Sequence, residues 1–339
     1  MPVETETLKS KKVVTIGGGT GSFTVLSGLR EYPELDITAI VSMADDGGST
    51  GKLRDEYGVL PPGDIRQCLV ALSESSEELR KLFNYRFSGG TLHGQNLGNI
   101  IISGAEKTAG SFAKGLELMH KVLAVRGQVV PVSLSDIRMV TTLENGQTVH
   151  GEDAADVLEI TAHPGDRIIS YAKSAKANPV AIKALKDADL IIISPGTTHG
   201  SIVQNFVPKG MQSAFKKSKA KKVLVCNLMN KHGQTDGYTV HDYVAEVERY
   251  AGKNSINYVL YNSKQPAPAL VKKYKSEGEP VQLGLIPQDA KYSLLQADII
   301  ADTIKKSEKR NKTADLLHAH RTLIRHDQKK LAKVITTLL

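Results

Sequence analysis

Val13-Val14-Thr15-Ile16-Gly17-Gly18-Gly19-Thr20-Gly21-Ser22 joins a β-branched run to a glycine loop, and apolar spacing from Phe23 to about Tyr32 predicts a helix after it. Glycines let such a turn adopt positive φ and let backbone amides approach a ligand closely. The helix start adds unsatisfied N–H groups and a positive dipole end. The stretch therefore suits an anion, above all a phosphate, with Gly17, Gly18, Gly19, Thr20, Gly21 and Ser22 as candidate contacts. G-x-G-x-x-G read from Gly17 meets Ser22 at its last place, and the loop is not a Walker A motif. A tight turn that binds nothing is the alternative reading.

The next strand candidate, Ile37 to Met43, is a nearly continuous apolar run of the kind buried in parallel sheets. It runs into Ala44-Asp45-Asp46-Gly47-Gly48-Ser49-Thr50-Gly51. An acidic residue at the end of a second strand reads ribose hydroxyls in doubly wound folds, and paired carboxylates also hold Mg²⁺ beside phosphates. Turn duty is the competing role for either aspartate. Farther on, Asp64 stands ahead of Ile65, Leu69 and Leu72 where a helix N-cap is expected, and Asn96 opens another apolar run as a cap or a ligand contact.

Helical patterning covers about 77–124, broken near 88–90 and 108–110. The texture then changes over about 128–172, where Asn145-Gly146 between alternating segments predicts a hairpin in a small β insertion. Parallel-sheet grammar resumes with a helix over 179–188 and strands at 190–193, 223–226, 257–261 and 281–285. Gly196 and Thr197 follow one of these strands and Asn227 another, at the carboxyl ends where open α/β sheets place their crevice. The fold expected is α/β, a doubly wound, mainly parallel Rossmann-like sheet with a helical excursion and a β-hairpin insertion. Residues 1–10 read as a disordered tail and 11–339 as a single domain.

Composition narrows the function. The 339 residues are 40% hydrophobic and 24% charged, with no run of eighteen apolar residues and no leader-like start, which reads as a cytoplasmic protein without membrane insertion. The net charge of +8 rests on lysine clusters with few aromatics interleaved, which favours solvated faces and steering of an acidic metabolite over nucleic-acid binding. Cys68 and Cys226 sit in apolar stretches without C-x-x-C spacing, so neither a disulfide framework nor a zinc motif is supported.

Three motifs in order, Gly17 to Gly21, Ala44 to Arg54 and Pro61-Pro62-Gly63-Asp64-Ile65-Arg66, resemble the YvcK or gluconeogenesis factor family (UPF0052), related in fold to 2-phospho-L-lactate transferase (CofD). The resemblance continues through Leu97-Gly98-Asn99, Pro195-Gly196, Asn227-Leu228-Met229 and Arg325-His326. It implies a nucleotide-sugar ligand, UDP-N-acetylglucosamine, and a role in carbon metabolism, envelope synthesis and cell shape. A protein partner in envelope-precursor metabolism and a homo-oligomer are implied with it. On this reading the glycine loop takes phosphate, Asp45 and Asp46 face ribose or metal, and Gly47, Gly48, Ser49, Arg66, Asn96, Gly196, Thr197 and Asn227 line the crevice. Arg325, with its planar five-donor fork, and Tyr274, with a stacking face, complete the expected set. Their plainer roles are a surface ion pair with Asp327 and a half-buried amphipathic side chain.

The sequence departs from the family pattern in three places. Gln95-Asn96 replaces a His-Ser pair, Thr197-Thr198-His199 loses a tyrosine, and Met-Thr-Gln-x-Gly-Glu-Thr becomes Met229-Asn230-Lys231-His232-Gly233-Gln234-Thr235. Two functions follow: a metabolite-responsive regulator, which the sequence favours, or a transferase in which Asp46 and Asp64 hold Mg²⁺.

Overall fold

The computed structural model describes residues 10–156, 165–302 and 324–339. Its first strand, β1 (Lys11–Gly17), has five consecutive buried residues and lies inside a seven-stranded sheet. Helix α1 (Gly19–Leu29) and strand β2 (Leu35–Val41) follow, with β2 parallel to β1 in the register Val13 to Ile37 and Ile16 to Ile40. Each such Val or Ile contributes about 1.5–3 kcal/mol by leaving water, so the β-branched runs select the sheet's centre.

Three helices between 77 and 122 build the helical excursion that the periodicity predicts. After α2 (Gly48–Tyr57) and α3 (Gly63–Leu72) come α4 (Glu77–Asn84), α5 (Leu97–Ala109) and α6 (Phe112–Val122). Ser76, Asn96 and Ser111 cap the last three by accepting backbone N–H bonds, and Gly110 at φ +78° ends α5 in the left-handed conformation.

Strand β3 (Gln128–Pro131) corrects the expected insertion boundary. It pairs parallel with β2 as the edge of the main sheet, and the insertion itself is only β4 (Met139–Leu143), β5 (Thr148–His150), α7 (Glu152–Asp156) and β6 (Arg167–Tyr171). Asn145-Gly146 makes the predicted hairpin turn, with Gly146 at φ +83° and antiparallel pairing of Thr142 with Thr148. The apolar Val129-Val130 belongs under the large sheet because both its faces are covered.

The chain then crosses to the other side of β1 through α8 (Pro179–Asp187) and β7 (Leu190–Ile193), followed by α9 (Met211–Lys217), β8 (Lys221–Val225), α10 (Val240–Ala251), β9 (Tyr258–Asn262), α11 (Pro268–Tyr274) and β10 (Ser293–Ala297). The strand order is β10-β9-β8-β7-β1-β2-β3, all pairings parallel. The strand expected at 281–285 is a correction: Pro280 and Gln282 make only isolated bridges, and β10 supplies the edge instead. A final helix, α12 (Gln328–Thr336), packs on α1 at Gly28, where a Cβ would stand 2.2 Å from the Gln328 carbonyl oxygen. The beginning of the helix expected over 313–339 lies outside the described residues. Among the described residues no helix is long and apolar enough to cross a membrane.

Candidate functional site

β1 lies between β2 and β7, and the chain runs outward from it in both directions, so the sheet changes winding sense between β1 and β7. At such a switch point the loops beyond the strand ends diverge and leave a crevice. Here those loops are Gly17–Ser22 after β1 and Ser194–Thr197 after β7.

The two loops touch closely. Gly21 lies so near Pro195 that a Cβ there would fall 1.7 Å from the Pro195 carbonyl oxygen. Gly19, at φ +62°, opens α1, whose N-cap residue Gly18 offers no side chain to the first-turn amides. A Cβ on Gly17 would come within 2.8 Å of Ser22 Oγ and 3.2 Å of Ser194 Cβ, so both serines converge on the loop. Their hydroxyls are buried and have no hydrogen-bond partner. Buried polar atoms rarely stay unpaired, and two of them at a helix start without a side-chain cap suit an oxygen-rich group.

Asp64 faces this loop from α3. The carboxylate accepts the Gly19 N–H and fills the space that a Gly18 side chain would occupy, with a Cβ there only 1.9 Å from Oδ2. The expected N-cap role is therefore a correction: Pro62 is the N-cap of α3, without a side-chain bond, and Asp64 sits in the first turn aimed at the glycine loop. Asp45 reaches the same region. Its Oδ1 accepts the Gly47 N–H at 3.1 Å, Thr50 bonds its carboxylate, and Gly63 makes room for it where a Cβ would meet Oδ2 at 2.4 Å. Burial, then repulsion from Asp45, pushes Asp64 up to about 7, and burial raises Asp45 as well. Two oxygen donors that resist holding two negative charges fit a hard divalent cation such as Mg²⁺, which would take up that charge.

Asp46 is not part of this pair. Its Oδ1 accepts the Glu152 N–H at 2.9 Å, and Gly151 approaches so closely that a Cβ would lie 2.7 Å from Oδ2. It tethers the start of α7 to the loop after β2, so Asp45 rather than Asp46 is the aspartate whose charge acts on Asp64.

Asn227 sits just past β8 and spends its amide on Gly196: Oδ1 accepts the Gly196 N–H at 3.0 Å and Nδ2 donates to the Gly196 carbonyl at 2.8 Å. Thr197 opens the Thr198–Ile202 turn with its hydroxyl 2.9 Å from that of Ser201. A separate buried network holds the helices. Ser49 Oγ accepts from the Asn96 N–H and donates to Gln95, Asn96 caps α5, and Arg66 donates to Asn99 and Asn84. Burial lowers Arg66 to about 10, and its guanidinium is held by these protein partners. Gly47 is the N-cap of α2, and Gly48, exposed with φ +46°, is its first residue, so a second bare helix start flanks Asp45.

Tyr274 is half-buried beside the small apolar cluster of Leu228, Ile300 and Ile324, which lies against the loop that begins at Asn227. Arg325 is exposed; its carbonyl accepts the Ala301 N–H at 3.0 Å, and the next residue, buried His326, bonds the Cys226 backbone. Of the residues singled out in the sequence, the structure brings the glycine loop, Asp45, Asp64, Gly196 and Asn227 together and seats Tyr274 and Arg325 near the end of β8, while Ser194, Thr50 and Glu152 are not among those singled out. Ser194 directly follows an all-buried strand at its carboxyl end, which is a signal that the sequence carries. Cys68 and Cys226 are buried free thiols, both raised by burial.

Comparison with known proteins agrees with this fold. The family model for 2-phospho-L-lactate transferase CofD matches residues 13–302. A Thermotoga maritima relative is 39% identical over 326 residues, covering 96% of this chain and 98% of its own, and the gluconeogenesis factor of Bacillus subtilis is 34% identical over 330 residues, covering 97% and 98%. A Bacillus halodurans crystal structure, that of a UPF0052 family member, superposes with a TM-score of 0.82 at 32% identity over 96% of this chain and 100% of its own. This chain belongs to the CofD/UPF0052 family and, within it, to the proteins named gluconeogenesis factors.

Proposed function

We propose that this protein binds a nucleotide sugar, UDP-N-acetylglucosamine, in the crevice between β1 and β7 and acts as a cytoplasmic regulator rather than an enzyme. The observation that carries the reading is the convergence of two partnerless buried hydroxyls, Ser22 and Ser194, on the uncapped start of α1 at the sheet's switch point. A diphosphate supplies acceptor oxygens for these two hydroxyls and the free α1 amides, and a divalent cation between it and Asp64 would offset the like charge. The base and sugar would extend toward Asn227, Tyr274 and Arg325, where the guanidinium is exposed and able to meet a phosphate or a uracil carbonyl edge. Occupancy would be passed to a partner enzyme of envelope-precursor metabolism, or through a homo-oligomer, by unequal affinity for two states.

A transferase of the CofD type is the second reading, and the Asp45–Asp64 pair favours it specifically. With Mg²⁺ held there, the metal would neutralise phosphate charge while the glycine-loop amides fix the anion. A thermal-shift and calorimetric screen with UDP-N-acetylglucosamine, UDP, GDP and inorganic phosphate, each with and without Mg²⁺, separates the two. Binding of the UDP-sugar with the ligand recovered intact supports the regulator. Mg²⁺-dependent consumption of the nucleotide in the presence of a phospho-acceptor supports the transferase.

A further inference from the structure

His232 and Asp236 on the loop that leaves Asn227, and Glu279 on the segment after α11, bring one ring nitrogen and two carboxylate oxygens within 4.8 Å of one another. Nothing in the crevice described above uses them. We infer that they form a divalent transition-metal site, with His232 Nδ1, Asp236 Oδ1 and Glu279 Oε2 as ligands and solvent completing the shell. The inference does not rest on the nucleotide-sugar reading.

The arrangement around the three atoms is that of a supported metal site. His232 Nε2 lies 3.0 Å from the Lys275 carbonyl, which can only accept, so the ring donates there and Nδ1 is the nitrogen turned toward the carboxylates. Asp236 Oδ2 accepts the Gly233 N–H at 2.7 Å, which orients Oδ1 toward the ring. Glu279 Oε1 accepts from Asn230 Nδ2 at 3.1 Å and from the Gly237 N–H at 2.9 Å, which leaves Oε2 on the ring side. The second oxygen of each carboxylate is thus occupied by a fixed donor.

Spacing agrees with this. Nδ1 is 2.9 Å from Asp236 Oδ1 and 3.6 Å from Glu279 Oε2. With metal–ligand bonds of about 2.1 Å, these separations correspond to angles at the metal of about 90° and about 120°. A proton on Nδ1 would serve Asp236 alone and leave Glu279 Oε2 beyond hydrogen-bond reach. One imidazole and two carboxylates suit Zn²⁺, Co²⁺ or Mn²⁺, with the imidazole favouring the first two.

The site joins two chain segments. The 229–237 loop is already bonded to residues 277–280 through the Asn230 N–H to Glu279 carbonyl bond (2.7 Å) and the His232 N–H to Glu277 carbonyl bond (2.9 Å). A metal at His232 would lock that rim beside the small cleft that Asn227, Leu228, Pro280 and Val281 help to line.

The test is calorimetric titration of chelator-treated, full-length protein with Zn²⁺, alongside thermal melts, for wild type, His232→Gln and a control at an exposed carboxylate outside both sites, Asp55→Asn. A higher melting temperature with metal, and a Zn²⁺ site weakened tenfold or more in His232→Gln but unchanged in Asp55→Asn, are the results expected. His232 is largely solvent-facing, so its metal-free variant should melt as wild type does and report on the site rather than on folding. Should Glu279→Gln fold poorly because Glu279 braces Asn230 and Gly237, Asp236→Asn serves as the second ligand variant, and its Zn²⁺ affinity should fall likewise. Failure of wild type to bind Zn²⁺ or Co²⁺ at micromolar concentrations, or equal affinity in His232→Gln, would overturn the site.

Discussion

The Asn227 side chain holds Gly196 by both of its backbone groups, accepting its N–H at 3.0 Å and donating to its carbonyl at 2.8 Å. One amide thus fixes the β7 loop from the end of β8 and sets the width of the crevice against the glycine loop. Asn227→Ala strips partners from both groups of Gly196 and should cost roughly 1–3 kcal/mol of stability. Ligand affinity should fall about tenfold through the loosened loop. Denaturant melts and titration calorimetry on the same samples check both; unchanged affinity would mean that the loop holds its place without the clasp.

Asp64 pairs function with instability. Its folded pKa of about 7 lies above the ordinary carboxylate value, so between pH 4 and 7 the native state holds more protons than the unfolded chain. Stability contributed by this group is full in acid and falls as pH rises through that window. Asp45, raised alongside, titrates with it as a pair. Asp64→Asn keeps an acceptor for the Gly19 N–H, flattens this dependence and should stabilise the protein at pH 8, by roughly 1–2 kcal/mol. Mg²⁺ binding should weaken in the same variant. Melting curves from pH 4 to 8 and a Mg²⁺ titration give both answers, and a variant less stable at pH 8 than wild type would count against the buried pair.

Asp46 offers the contrast. Its bond to the Glu152 N–H makes it an anchor for α7, so Asp46→Ala should cost about 1 kcal/mol, as loss of a helix cap does, with Mg²⁺ affinity within about twofold of wild type. A Mg²⁺ defect as large as that of Asp64→Asn would restore Asp46 to the cation site.

His326 works in the opposite sense to Asp64. Burial depresses it to about 4, with one ring nitrogen on the Cys226 backbone and Nε2 without a partner. Because the unfolded imidazole gains its proton near pH 6.5, stability from this residue is present above that value and is lost as pH falls toward 4. His326→Gln should reduce the acid destabilisation between pH 6.5 and 4, read as a shallower fall of melting temperature; an unchanged slope would place the acid sensitivity elsewhere.

Much of this was legible in the sequence because local chemistry and tertiary role coincide. The β1 run, the glycines after it and the apolar β2 run each admit one sheet position, and Asn145-Gly146 admits one turn. Asn96 caps α5 as its place ahead of an apolar run predicts. The errors lie where two roles share one residue type. Asp45 and Asp46 are chemically identical, and only the position of α7, more than a hundred residues away, assigns one to the loop and the other to a helix start. Asp64 reads as a cap because its spacing is that of one, yet the close approach of Gly18 turns it toward β1. The short β10 escaped notice because Ser293–Ala297 is an edge strand without a continuous apolar signature, whereas Val281-Gln282-Leu283 carried alternation but pairs only through isolated bridges.

The central claim is that the crevice between β1 and β7 takes the phosphates of a nucleotide sugar, and Ser22 and Ser194 test it most directly. Removing a buried hydroxyl that has no protein partner costs the fold little, so Ser194→Ala and the double variant with Ser22→Ala should melt as wild type does or slightly higher. Titration calorimetry with UDP-N-acetylglucosamine should then give saturable binding to wild type, affinity about tenfold weaker for Ser194→Ala and a further loss for the double variant. Equal dissociation constants for wild type and double variant, or no binding of any UDP ligand to wild type, would contradict the account.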